Sequence, residues 1–154
     1  MSATPDPILT VLGFDYGSRL IGVAVGNRLA GSARALTTIG NGAAPEWTRL
    51  DDLVREWKPD AFVVGLPLTL DGGEQAATRG ARAFAAALGR RYGRVVYATD
   101  ERYTSREASR RFADRRAQGA ARRKDAASID ALAAEVILEA WMAAPDDSVA
   151  VIPS

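Results

Sequence analysis

The stretch ILTVLGFDYGSRLIGVAVGN, residues 8–27, places one acidic side chain at the end of an apolar strand. Ile8–Phe14 favours a strand, Asp15–Ser18 has the composition of a tight turn, and Ile21–Val25 predicts a second strand. We therefore expect a β-hairpin with the Asp15 carboxylate at its rim. A charge there indicates a ligand site, because buried strands avoid charges that are neither paired nor bound to a metal. The alternative is that Asp15 only opens the turn.

The composition limits the chemistry that the chain can perform. Its 154 residues, 47% of them hydrophobic, predict a single domain over residues 1–154 with a full core. The chain has no cysteine and no histidine, which excludes disulfides, thiolate or histidine zinc sites and Ser-His-Asp triads. Carboxylates must therefore carry any catalysis. No apolar run approaches the roughly 20 residues that span a bilayer, and the N-terminus lacks signal-peptide features, so we expect a cytoplasmic protein without membrane contact.

The rest of the chain alternates between strands and helices. Ser32–Gly40 predicts a third strand and hence an antiparallel meander. The apolar run Ala61–Leu66 is typical of a parallel strand covered on both faces, and we expect it beside the first strand. Another strand is predicted from Val95 to Ala98, and the tail from Pro145 is expected to be loose. The predicted helices begin near Pro45, Gln75 and Ser128 and end near Lys58, Tyr92 and Met142. The fold class is thus α/β, a mixed sheet of five strands, three antiparallel and then parallel, flanked by helices.

Two further acids lie where ligands collect in such folds. Glu101 follows the end of the predicted strand that contains Val95, so it could meet Asp15 if their strands are parallel neighbours. The alternative is that Asp100 or Thr104 caps the next helix and Glu101 is only solvated. Asp130 lies in the first turn of the last helix, where the helix dipole alone would also favour an acid. The predicted buried face of that helix consists of Ile129, Leu132, Ala133, Val136, Ile137 and Ala140.

The loop from Asp71 to Glu74 follows a predicted strand and precedes a helix, which is where anion or metal loops occur. Asp-Gly-Gly is equally ordinary turn chemistry, and a glutamate is favoured in the first turn of a helix. Both interpretations stay open.

Residues 102–124, called the basic segment below, carry most of the positive charge. Nine basic residues against Glu107 and Asp114 give this segment +7, and the total of +1 leaves −6 for the remainder. Part of the charge recurs at helical spacing, which predicts a helix face that follows phosphates; a solvated face is the alternative. The candidate nucleic-acid contacts are Arg102, Arg106, Arg110, Arg111, Arg115, Arg116, Arg122, Arg123 and Lys124.

The chain resembles the YqgF/RuvX family of the RNase H-like superfamily, whose members are described as pre-16S rRNA nucleases and earlier as Holliday junction resolvases. The resemblance covers Leu12 to Met142. Tyr103 and Ser105 stand where the family more often has Leu and Thr, and an extra acid, Asp125, precedes Asp130. The motifs that carry it, in order, are FDYGSRLIGVAVGN (14–27), VVGLPLTLDGGE (63–74), DERYTSREA (100–108) and IDALAAEVILEAW (129–141).

The resemblance implies an RNase H-like fold and a nuclease that works with two Mg²⁺ or Mn²⁺ ions about 4 Å apart. Asp15, Glu101 and Asp130 would be the catalytic metal ligands, since hard cations prefer oxygen donors. Gly17 would leave room for the substrate backbone. The implied substrate is the 5′ end of pre-16S rRNA, with branched DNA as the alternative. Whether the protein is a monomer or a homodimer stays open.

Two other classes remain at this point. Asp15, Gly17 and Gly22 also resemble the phosphate loop of actin-like and hexokinase-like ATPases, but those proteins need two such domains. A non-catalytic nucleic-acid-binding module would be compatible with the same fold. Cleavage of a labelled substrate panel distinguishes these classes from a nuclease.

Overall fold

Six strands form one mixed sheet in the computed structural model, which describes residues 9–67, 73, 75–100, 110–111, 113–114, 128–143 and 149–151. The sheet order is β3-β2-β1-β4-β5-β6, with β1, β2 and β3 antiparallel, β1, β4 and β5 parallel, and β6 antiparallel to β5. The strands are β1 (Thr10–Tyr16), β2 (Leu20–Asn27), β3 (Ser32–Gly40), β4 (Ala61–Leu66), β5 (Val95–Asp100) and β6 (Val149–Val151). The helices are α1 (Trp47–Trp57), α2 (Ala76–Tyr92) and α3 (Ser128–Ala143).

The meander, the position of β4 beside β1 and the predicted helices are confirmed. The sixth strand was not predicted, and the expectation of a loose tail is wrong for Val149–Val151, which pairs with β5 from Val96 to Ala98. Three residues are too few for a periodic pattern. The edge of β5 supplies the backbone partners that this short segment needs to form a strand.

The first turn begins later than its composition predicts. Asp15 and Tyr16 remain in the β1–β2 ladder, where they pair with Gly22 and Ile21, and the connection runs only from residue 17 to residue 19. The idea that Asp15 merely opens the turn is therefore wrong. Its carboxylate belongs to a strand held by neighbours on both sides.

The two faces of the sheet have different partners. Leu12 and Phe14 point to the face covered by α1 and α2, where they join a cluster rich in aromatic residues. Val11 and Gly13 point to the opposite face, where Val11 joins a smaller cluster with α3. Because side chains alternate along a strand, Asp15 belongs to the α3 face.

Three glycines let α3 approach the sheet. A Cβ on Gly13 would lie 2.3 Å from Leu138 Cγ, and one on Gly22 would lie 1.9 Å from the carbonyl oxygen of Asp130. Gly26 is less tight, at 3.3 Å from Leu138 Cδ1. The helix therefore lies close against β1 and β2.

The predicted buried face of α3 is partly wrong. Ala140 is exposed and Val136 is half-buried, whereas Leu138 and Trp141 are buried in the cluster with Val11. Nearly every residue from 131 to 138 is apolar, so the periodicity could not select one face.

The ends of α1 and α2 are fixed by polar contacts. Lys58 ends α1 in the left-handed conformation, at φ 48°. Gln75 and Thr78 form a capping box at the start of α2, and the buried Thr78 hydroxyl donates to the carbonyl of Pro67 at 2.6 Å. Within the described ranges, no helix is long and apolar enough to cross a membrane.

Candidate active site

Asp15 lies near the carboxyl end of β1 with a glycine beside it on each neighbouring strand. Its register partners are Gly22 on β2 and Gly65 on β4. Neither neighbour carries a side chain, so nothing from these two positions crowds the carboxylate on the α3 face. The acidic group therefore lies between two positions without side chains, at the edge where ligands bind in α/β sheets.

A buried asparagine holds the turn that follows Asp15. The Asn41 side chain, 5% exposed, donates from Nδ2 to the Gly17 carbonyl at 2.7 Å, and its backbone N–H donates to the Arg19 carbonyl at 2.7 Å. Gly17 itself is required by the hairpin, since a Cβ there would lie 2.5 Å from the Leu20 carbonyl oxygen. Sequence reasoning missed Asn41, because an asparagine after a strand is typical of any loop.

Asp130 lies in the first turn of α3, over the strand that pairs with Asp15. Its backbone packs on Gly22, the residue opposite Asp15 in the ladder. The structure thus places the backbone of Asp130 over the register partner of Asp15, and a shared site for the two carboxylates stays a prediction. The Asp130 side chain is half-buried, and this burial raises the pKa of its carboxyl above the usual value.

Glu101 lies outside the described residues, directly after the last residue of β5 in the sequence. β1 and β5 are parallel but not neighbours, because β4 lies between them, so the condition stated for a meeting of Asp15 and Glu101 is not met. The register partner of Asp15 on β4 is Gly65, and the register partner of Gly65 on β5 is the buried Thr99. Two strand spacings separate Asp15 from Thr99 by roughly 10 Å. Side chains from β1 and β5 therefore have to meet across Gly65.

The donor set fits a hard divalent cation. Asp15 and Asp130 offer carboxylate oxygens, which Mg²⁺ and Mn²⁺ prefer, and the desolvated Asp130 carboxylate would gain from a neighbouring positive charge. Among the residues that the structure describes, no group of three or more acids, histidines or cysteines could hold a metal ion. A third ligand would have to come from elsewhere in the chain, and Glu101 stays the predicted one. Asp71, Glu74 and Asp125 also lie outside the described residues.

Two of the nine basic residues in the basic segment are described, and their surroundings differ. Arg110 is exposed on a helical stretch. Arg111 donates from Nη1 to Glu135 Oε2 at 2.7 Å and pairs through Nη2 with Glu139. Its contact with nucleic acid stays a prediction, although two carboxylates already bind its guanidinium. The other predicted nucleic-acid contacts of the basic segment lie outside the described residues: Arg102, Arg106, Arg115, Arg116, Arg122, Arg123 and Lys124.

Glu135 is a polar residue of α3 that sequence reasoning missed. It is 6% exposed, and its Oε1 accepts the N–H of Ala35 at 2.9 Å. The sequence feature that could have revealed Glu135 is an acid inside an apolar run, because a buried carboxylate requires partners.

Comparisons with known proteins identify the family of the chain. A family model described as RuvX, Holliday junction resolvase, matches residues 9–144. A protein of Xanthomonas oryzae pv. oryzae (strain PXO99A), provisionally named a pre-16S rRNA nuclease, is 53% identical over 140 residues, 90% of each chain. A relative of the same name from Xanthomonas campestris pv. campestris (strain B100) is 51% identical over 143 residues, 92% of each chain.

The fold is also similar to that of solved Holliday junction resolvases. T. thermophilus RuvC in complex with a Holliday junction substrate superposes with a TM-score of 0.51 at 21% identity, covering 93% of this chain and 99% of that chain. The yeast mitochondrial resolvase Ydc2 gives 0.50 at 10% identity, covering 91% and 80%. These likenesses support the RNase H-like fold, and the family match and the close relatives decide the assignment: the chain belongs to the RuvX family of nucleases.

Proposed function

We propose that this protein is a metal-dependent endonuclease whose single domain, residues 1–154, hydrolyses phosphodiester bonds at the 5′ end of pre-16S rRNA. The observation that carries the proposal is the packing of the Asp130 backbone on Gly22, the ladder partner of Asp15. This packing supports the proposal because it puts the backbone of Asp130, from a distant part of the chain, beside the carboxyl end of β1 that carries Asp15.

Asp15, Asp130 and Glu101 would hold Mg²⁺ or Mn²⁺ in this proposal. When bound, the metal would supply an activated water and stabilise charge on the leaving oxygen. The chain itself would contribute the positions of these metal ligands. The β1–β2 ladder and Asn41 fix the backbone around Asp15, while the close contact at Gly22 fixes Asp130.

The names of the close relatives favour precursor rRNA as the substrate, and we infer a cytoplasmic location from that substrate. The charge of +7 on the basic segment suits the phosphates of a structured RNA. A Holliday junction is the second candidate, because the family model carries that description and T. thermophilus RuvC was solved with such a junction.

The test is a panel of end-labelled substrates: precursor 16S rRNA with its 5′ extension, a four-way DNA junction, and single strands of RNA and DNA. Each is incubated with Mg²⁺, Mn²⁺ or EDTA. We expect metal-dependent cleavage of the precursor at a defined 5′ position and none with EDTA. Preferential cleavage of the junction would support the second candidate.

The matched variant is Asp15→Asn, which keeps the shape of the side chain and removes a charged ligand. We expect it to stay folded by circular dichroism and to lose metal-dependent cleavage. Turnover like that of the wild type in this variant would contradict the metal mechanism. Binding without cleavage of any substrate by the wild type would instead indicate a non-catalytic nucleic-acid-binding module.

A further inference from the structure

Glu135 joins three parts of the structure through one buried carboxylate. It lies on α3, five residues after Asp130, which is about 7.5 Å along the helix. Its Oε1 accepts the backbone N–H of Ala35 on β3 at 2.9 Å, and its Oε2 accepts Arg111 Nη1 at 2.7 Å. Only 6% of Glu135 is exposed. One side chain therefore ties the edge of the sheet, the helix that carries Asp130 and a residue of the basic segment together.

The contact with β3 depends on an irregularity in that strand. Val23 pairs with Thr37 and Ala24 pairs with Ala35, so Leu36 is an extra residue and the register shifts there. A bulge of this kind redirects backbone groups out of the ladder. The Ala35 amide donates to Glu135. The carboxylate is thus held by the shape of the backbone as well as by charge.

The contact with Arg111 is directional. The guanidinium reaches Glu135 with one nitrogen and Glu139, one turn further along α3, with another. A planar fork that spans two carboxylates along a helix fixes its own orientation relative to that helix, which a single ammonium group cannot do. A displacement of Arg111 is therefore transmitted to α3.

We propose that Glu135 is a positioning residue that couples nucleic acid held on the basic segment to the placement of Asp130. The inference rests on the proposed function, because it assumes that the basic segment binds the substrate. Nucleic acid bound at Arg110 holds the adjacent Arg111 in the contact with Glu135 and Glu139 that the structure shows. This contact fixes the first turns of α3 against Gly22.

The test compares the wild type with Glu135→Gln, whose amide oxygen still accepts the Ala35 N–H but lacks the charge that holds Arg111. Asp52→Asn is the matched control, because it removes one acidic charge from an exposed ion pair with Arg55 on α1. Amide hydrogen exchange of residues 129–135 is measured without divalent metal, with and without a structured RNA duplex. The dissociation constant of the duplex and the single-turnover cleavage rate at saturating substrate are measured in parallel.

We expect RNA to slow exchange at residues 129–135 in the wild type and in Asp52→Asn, but not in Glu135→Gln. The dissociation constant should change less than about twofold, whereas the saturating cleavage rate should fall between about tenfold and 100-fold, as misplaced catalytic groups do. Glu135→Asp, which keeps the charge, should recover part of the rate.

Equal RNA-induced protection in the wild type and in Glu135→Gln would overturn the coupling, and so would its absence from the wild type. Failure of the proposed function is a different result: the wild type would show the protection and cleave nothing with either metal.

Discussion

Replacing Gly22 with alanine should separate Asp130 from Asp15 while leaving both carboxylates in the chain. The new Cβ would lie 1.9 Å from the Asp130 carbonyl oxygen and 2.3 Å from its carbonyl carbon. Both atoms belong to the backbone, so no side-chain rotation relieves the overlap. Ordinary contact begins at 3.4 Å. The first turn of α3 must therefore move by about 1.5 Å, the difference between 3.4 and 1.9 Å.

The size of this movement sets the expected effect. A misplacement of about 1 Å costs about 100-fold in rate, so we expect the single-turnover cleavage rate of Gly22→Ala to fall by about 100-fold or more. Overpacking costs about 1 to 3 kcal/mol. For a chain of this length each kcal/mol lowers Tm by about 2 to 4 °C, which predicts a fall of between about 2 and 12 °C. The variant should still unfold cooperatively.

Gly26→Ala is the control, since Gly26 lies on the same strand and the same face. A Cβ there would meet Leu138 Cδ1 at 3.3 Å and Met142 Cε at 3.4 Å, the ends of flexible side chains. We expect its cleavage rate to stay within about threefold of the wild type, as rotamer changes absorb the contact. Wild-type cleavage by Gly22→Ala would refute the reasoning, because it would mean that the position of Asp130 over Gly22 does not matter for the chemistry.

Three further predictions concern the acids and the basic segment. Asp130→Asn should eliminate metal-dependent cleavage while Asp125→Asn lowers it at most several-fold, and assays of both at matched Mn²⁺ would expose the reverse ranking. Salt titrations of binding test the basic segment: removing one arginine–phosphate contact should lower the log–log slope by about 0.7 to 0.9, and an unchanged slope would indicate a solvated face. The variant for that titration neutralises Arg110, Arg115 and Arg116. Hydrogen bonds from Arg91 and the Tyr92 hydroxyl lower the pKa of Asp51 from its usual 3.8 to about 2, so this contact stabilises the fold above pH 4 and fades as the pH falls through 2. Asp51→Asn should accordingly lower Tm at pH 7 and leave it unchanged below pH 2, and an equal fall at both pH values would contradict this.

Strand boundaries were predictable where the sequence itself marks them. β4 begins and ends at Ala61 and Leu66 as predicted, because Pro59 and Pro67 bracket a continuous apolar run. β3 also has its predicted ends, Ser32 and Gly40. These limits are local, so one sequence suffices to find them.

Contacts between distant elements were harder to predict. The end of the first strand was predicted two residues early, because Asp15 and Tyr16 precede residues that are typical of turns. In the structure the ladder with β2 continues through both residues. The buried face of α3 was partly missed because most of its residues are apolar. The glycines on β1 and β2 decide which face of α3 is buried, because α3 packs against them. This contact between distant residues forms only in the folded chain.

The same glycines explain why one acid could be singled out from the sequence while its surroundings could not. Asp15 was conspicuous because it ends an apolar run, which is a local property. Its suitability as a metal ligand depends on Gly22 and Gly65, which belong to two other strands and lie beside it only in the folded sheet. The space at Gly22 is filled by the backbone of Asp130, and Gly65 contributes no side chain of its own between Asp15 and Thr99 on β5. A metal-dependent nuclease requires carboxylates from different elements at one place, and the glycines at these two positions allow other elements to come close to Asp15. A side chain larger than hydrogen at Gly22 would remove the contact with Asp130 even though both acids were retained.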